Sequence, residues 1–73
     1  MNYKEKLNKK KVGLNLYRLI NESNYTYEYV AEFLMLKSPR VIYEWTKGTK
    51  TPATENLWNL AKLFHVRMED ILS

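Results

Sequence analysis

Residues 26–48 read TYEYVAEFLMLKSPRVIYEWTKG, and this stretch decides the fold. Val30, Ala31 and Leu34 form the inner face of a short helix over residues 27–34, which ends at the Leu-Met-Leu-Lys turn. Thr26 precedes it as an N-cap, its hydroxyl placed to accept an exposed N–H one turn on. The next helix carries the clearest start signal in the chain. Ser38 is a good N-cap, and Pro39 suits a first helical position, where no N–H is needed. Val41, Ile42 and Trp45 follow as inward positions, and Gly48, free to take positive φ, stops the helix. Ala31 is small enough to let the two helices cross closely at their turn.

The flanks extend the same pattern. Upstream, Val12, Leu16, Leu19 and Ile20 make a helical stripe over residues 12–23, which runs out between Asn21 and Asn24. Downstream, Pro52 leads into a helix over about 54–64 whose buried face is Leu57, Leu60, Ala61 and Phe64. His65 ends it, a residue type that tolerates the left-handed cap conformation. A last turn or two, Met68 to Leu72, closes the chain. With so few glycines and prolines to interrupt it, the sequence predicts an all-α domain of five short helices and no strand pair.

Composition narrows the function. The 73 residues leave room for one domain. With no Cys and a single His, disulfide frameworks, thiolate nucleophiles and Cys- or His-rich metal sites are excluded. No run of apolar residues is long enough for a membrane span, and no basic-then-apolar leader stands at the start, so a cytoplasmic protein is expected. The formal charge is +4, and residues 1–11 carry all of it, with five lysines against one glutamate. Residues 12–73 balance seven basic side chains against seven acidic ones. The sequence therefore divides into a basic, flexible arm, 1–11, and a neutral body, 12–73. Glu28 and Glu32 lie one helical turn apart with no second functional cluster, so no catalytic residue, metal or cofactor is expected, and no small-molecule substrate.

The ordered set Thr26, Glu28, Val30, Ala31, Ser38, Ile42, Trp45, Gly48, Pro52, Leu57, Leu60, Ala61, Lys62 and Phe64 resembles the helix-turn-helix pattern of the Cro/CI-like, or XRE-type, repressors. The ending Val66-Arg67-Met68-Glu69-Asp70-Ile71-Leu72 resembles that family's closing segment, so the likeness spans residues 12–73. The resemblance implies a compact five-helix domain whose second motif helix, about 39–47, enters the DNA major groove. On that reading Arg40 is placed to pair with guanine, and Tyr43, Glu44 and Lys47 follow along the exposed side. Arg18, Lys37 and Lys50 suit phosphates, Ser38 opens the helix, and Tyr27 stands where the family usually has a DNA-touching glutamine. The likeness is strongest to small switch proteins of phages and mobile elements, which implies a transcription regulator of operator DNA in a bacterial host cell.

The departures from the family pattern point to a second reading. Tyr27 replaces the glutamine, Thr46 replaces an acid, and Ala53 replaces a Ser N-cap, leaving Thr51 or Thr54 to cap. The turn is one residue longer than the commonest form, which removes the need for positive φ at Met35. Tyr29 and Phe33 lie off the buried stripe of their helix, and Trp58 lies off the stripe of its own. Large aromatics at such positions fit a protein interface, with Tyr27 and Tyr43 beside it. The alternative function is therefore an antirepressor, which binds a partner repressor and blocks or alters its hold on DNA. A homodimer, if formed, would use helix 4, helix 5 or the exposed aromatics.

Overall fold

The computed structural model describes residues 8–73. Five helices follow in chain order: α1 (Lys9–Glu22), α2 (Tyr27–Phe33), α3 (Arg40–Lys47), α4 (Thr54–Phe64) and α5 (Met68–Leu72). No strand occurs among the described residues. The expected helices are all present, and the differences lie at their ends.

Helix α1 starts at Lys9, three residues before the expected Val12. Asn8 sets that start, because its side-chain oxygen accepts the Lys11 N–H at 3.1 Å. Lys9, Lys10 and Lys11, read from the sequence as part of the arm, thus form the first turn of a helix. The remainder of the expected arm, residues 1–7, lies outside the described residues. At the other end Ser23 Oγ donates to the Ile20 carbonyl at 2.7 Å and accepts the Tyr25 N–H at 3.0 Å, turning the chain toward α2. Thr26 caps α2 as expected, accepting the Tyr29 N–H at 3.0 Å.

Helices α2, α3 and α4 end in one way. An N–H beyond the helix reaches back five residues: Leu36 to the Ala31 carbonyl at 2.8 Å, Thr49 to Glu44 at 3.1 Å, Val66 to Ala61 at 3.0 Å. This closure needs a left-handed residue at the bend. Met35 (φ 59°), Gly48 (φ 81°) and His65 (φ 57°) supply it. Gly48 and His65 behave as the sequence implied. Met35 does not: the longer turn leaves the closing bond in place, so positive φ is still required and a non-glycine residue carries the strain.

Two other starts also differ. Helix α3 begins at Arg40, with Pro39 before it and the Ser38 hydroxyl accepting the Arg40 N–H at 3.3 Å. Helix α4 has no side-chain cap, so neither Thr51 nor Thr54 takes the role left vacant at Ala53.

The core gathers one stripe from each helix. Val12, Leu16 and Ile20 meet Val30, Ala31, Ile42, Trp45, Leu57, Leu60 and Ile71, all essentially removed from water. Leu63, which the expected α4 face omitted, is also buried, while Leu19, Val41 and Phe64 pack at the margin. Asn15 Nδ2 donates to the Ile71 carbonyl at 2.9 Å and ties α1 to the end of α5. The Asp70 carboxylate accepts the Arg67 N–H at 2.9 Å and closes the first turn of α5.

Gly13 sets the distance between α1 and α3. A Cβ on Gly13 would collide with the Trp45 carbonyl oxygen and lie 2.9 Å from that of Thr46. The helices approach at bare backbone, and this contact holds α3 in place. No helix among the described residues is long and apolar enough to cross a membrane.

Candidate nucleic-acid interface

Helix α3 buries Ile42 and Trp45 and turns Arg40, Tyr43, Glu44 and Lys47 away from that face. These four recur at helical spacing and make one outward stripe. Arg40 opens it, exposed in the first turn, with its backbone N–H held by Ser38. Among the described residues the side chains of Arg40, Lys37 and Lys47 enter no ion pair. An unpaired guanidinium at the start of an exposed helix keeps its full fork of donors for an external acceptor.

The acid on the stripe is partly neutralised. Glu44 stands 3.7 Å from Lys50 Nζ in the loop after α3, and the Thr49 hydroxyl donates to the Glu44 carbonyl at 3.0 Å. Both partners are partly exposed, so this pair orients more than it stabilises. What is left free along the surface is positive: Lys37 before the helix, Arg40 at its start and Lys47 at its end.

Tyr27 and Tyr43 are brought into contact. Their rings stack with centroids 4.3 Å apart and planes 14° from parallel. Tyr27 is half-buried at the first position of α2, and Tyr43 keeps 44% of its surface exposed. The stack bridges the start of α2 to the middle of α3 and props the outward stripe from one side. The position expected to hold a flexible amide therefore holds a ring locked against the next helix.

Arg18 stands apart from this group. Its guanidinium donates to Asn15 Oδ1 at 3.0 Å, and its other neighbours include Glu22 and Asp70 in a shallow hollow between α1 and α5. Tyr27, Lys37, Ser38, Arg40, Tyr43, Glu44, Lys47 and Lys50 are all carried by α2, α3 and their loops; Arg18 is not.

The lysine run joins the site from an unexpected direction. Gly48 packs so closely on Lys10 that a Cβ there would lie 3.0 Å from the Lys10 Cα. Lys10 therefore stands beside the end of α3, in the same helical turn as Lys9 and Lys11. The sequence signal was weak for a physical reason: three cations in a first helical turn oppose the helix dipole, so they read as arm.

Tyr29, Phe33 and Trp58, the aromatics expected off the buried stripes, fall into two groups. Tyr25, absent from the sequence expectation, stacks on Tyr29 at 4.8 Å and tilts against Phe64 at 6.0 Å. Tyr29 and Phe33 keep 47% and 43% of their surface exposed on α2, so the face is rooted in the core but open to water. Trp58 on α4 joins none of these rings; its neighbour is Lys62, whose Nζ lies 5.2 Å from the ring centroid.

Comparison with known proteins agrees with this architecture. The family described as helix-turn-helix matches residues 16–71. Among solved structures the chain is similar to the crystal structure of the DNA-binding domain of BldD, with a TM-score of 0.74 and 17% identity over 96% of this chain and 100% of that one. At that identity the likeness is one of fold. No curated protein matches the sequence.

Proposed function

The chain belongs to the helix-turn-helix family of the Cro/CI-like, XRE type, and from that premise we propose that it binds double-stranded operator DNA through α3 and regulates transcription. The observation that carries the proposal is Arg40, exposed at the start of α3 with no ion-pair partner among the described residues. In this reading Arg40 reads a guanine through two hydrogen bonds, and Tyr43 and Lys47 follow along the groove. Lys37 and Lys50 contact phosphates, with Lys9–Lys11 extending the basic edge beside Gly48. Arg18, engaged on the α1–α5 side, is assigned no groove contact. The role is binding, not catalysis. Its setting is a phage or mobile-element switch in the cytoplasm of a bacterial host, a reading supported by the likeness of the 26–72 pattern to such switch proteins.

Tyr29 and Phe33 support a second reading, in which α2 docks on a partner repressor and masks it. Glu28 and Glu32 flank the rings, giving that surface an acidic character suited to a basic partner. One experiment separates the two. Duplexes tiled across the protein's own locus are titrated alone, then with any repressor encoded beside it. The DNA reading expects one duplex to bind preferentially. Its association constant should fall with salt at a log–log slope of about −3 to −5, for three to six phosphate contacts. The masking reading expects no duplex to bind alone, and the repressor to lose its DNA when this chain is added.

A further inference from the structure

Tyr43 follows Arg40 on the outward stripe of α3, one helical turn further along. Its ring lies nearly flat on that of Tyr27, with centroids 4.3 Å apart and planes 14° from parallel. Stacking, not hydrogen bonding, joins the pair. Among the described residues neither hydroxyl takes part in a hydrogen bond within the chain. Tyr27 covers one face of the Tyr43 ring, and 44% of the surface of Tyr43 stays in water. The direction of that ring is thus set before any ligand arrives. The other members of the stripe, Arg40, Glu44 and Lys47, are charged, so Tyr43 carries its apolar surface.

We propose that the Tyr27–Tyr43 pair is a specificity determinant that reads the C5-methyl group of a thymine near the guanine of Arg40. The inference rests on the DNA reading of α3 and adds to it a second base and the residues that select it. Donors and acceptors on the base edges call for polar partners, and the thymine methyl is the one apolar group that the major groove presents. A pinned aromatic ring suits that methyl and none of the other groups. The spacing says where the thymine stands. From Arg40 to Tyr43 the helix rises about 4.5 Å, and successive base pairs are about 3.4 Å apart. The thymine therefore lies within about two base pairs of the guanine, on either strand. Tyr43 makes the contact. Tyr27 touches no base; it is a positioning residue, whose ring keeps that of Tyr43 from turning away along α3.

The test is fluorescence anisotropy of the full chain on its preferred own-locus duplex, with deoxyuridine placed at one thymine at a time. Deoxyuridine keeps every hydrogen-bonding group of thymidine and lacks only the methyl. Burying one methyl group is worth about fourfold in affinity, so one thymine should show a loss of about that size. It should lie within about two base pairs of the guanine whose replacement ceases to matter in Arg40→Ala. Tyr43→Ala should bind the thymine and deoxyuridine duplexes alike. Tyr43→Phe should keep the full ratio, because the ring and not the hydroxyl makes the contact. Tyr27→Ala should bring the ratio below about twofold, and Tyr27→Phe should restore it. Each ratio is taken within one protein, so a change in the folded fraction cancels from it.

A duplex that binds yet is indifferent to the loss of every methyl overturns the proposal and leaves the DNA reading standing. So does a ratio that survives Tyr43→Ala, or one that survives Tyr27→Ala. A Tyr43→Phe protein that loses the ratio assigns the contact to the hydroxyl and overturns the proposal too. A chain that binds no own-locus duplex at about 50 mM salt fails the DNA reading itself, and the proposal falls with it.

Discussion

Replacing Gly13 with alanine should destabilise the protein by about 2 kcal/mol, although helix propensity alone favours the change by about 1 kcal/mol. The sign reverses because of where the new methyl group goes. It would strike the Trp45 carbonyl oxygen, lie 2.9 Å from the Thr46 oxygen and 3.2 Å from the Gly48 nitrogen. All three are backbone atoms, so no side chain can rotate away. Relief requires α1 to withdraw from α3, which opens the core between Val12, Leu16, Ile42 and Trp45. Overpacking of this kind costs about 1–3 kcal/mol, and here it is added to the loss of packing around it. For a domain of this size the thermal midpoint should fall by roughly 8–16 °C. Thermal unfolding followed by circular dichroism reads the result directly, and a midpoint that rises would mean the helices are not in backbone contact.

Arg40→Ala should leave stability within about 0.5 kcal/mol of the wild type, because the side chain is exposed and pairs with no acid among the described residues. Its effect should appear on DNA. Two hydrogen bonds to one guanine are worth about 1–3 kcal/mol of discrimination, so affinity for the preferred own-locus duplex should drop between about 5-fold and 150-fold. Affinity for an unrelated duplex should change far less, and its salt slope by no more than about one unit. Fluorescence anisotropy on the two duplexes separates the cases. An equal loss on both would assign Arg40 to a phosphate and move base reading further along α3, toward Tyr43 and Lys47.

The contrast between these residues shows what a sequence displays. The exposed place of Arg40 at the start of α3 was legible because it depends on local signals: a hydroxyl at Ser38, a buried stripe at Ile42 and Trp45, and a position off that stripe. Gly48 and His65 were legible for the same reason, each ending a helix with a residue type suited to positive φ. Gly13 was not, because a glycine inside a helix shows only a weakened helix; its purpose lies on α3, a long way along the chain. Met35 misled because the count of turn residues does not reveal the Leu36–Ala31 bond that imposes its conformation. The rings follow this division too. Exposure of Tyr29, Phe33 and Trp58 could be inferred from periodicity on single helices. The pairing of Tyr27 with Tyr43, and the place of Tyr25 between Tyr29 and Phe64, needed the helices to be brought together.

Charge is the point most altered by the fold. In sequence, the whole +4 excess lay on residues 1–11 and the helical body was balanced. In the structure Lys9, Lys10 and Lys11 are the first turn of α1, and Lys10 packs on Gly48 at the end of α3. Part of the supposed arm is thus folded, and Lys10 lies against the end of the helix that carries Arg40 and Lys47. That strengthens the case for a polyanionic partner at α3 over an acidic α2 face seeking a basic one.

The central claim, that α3 meets nucleic acid, is tested most directly by amide chemical-shift mapping of the full chain with its preferred own-locus duplex. Shifts should concentrate on residues 37–50, with a smaller set at Lys9–Lys11, and fade toward the outer face of α2 at Tyr29 and Phe33. Shifts absent from α3, or no duplex bound at about 50 mM salt, where phosphate contacts are strong, would contradict it.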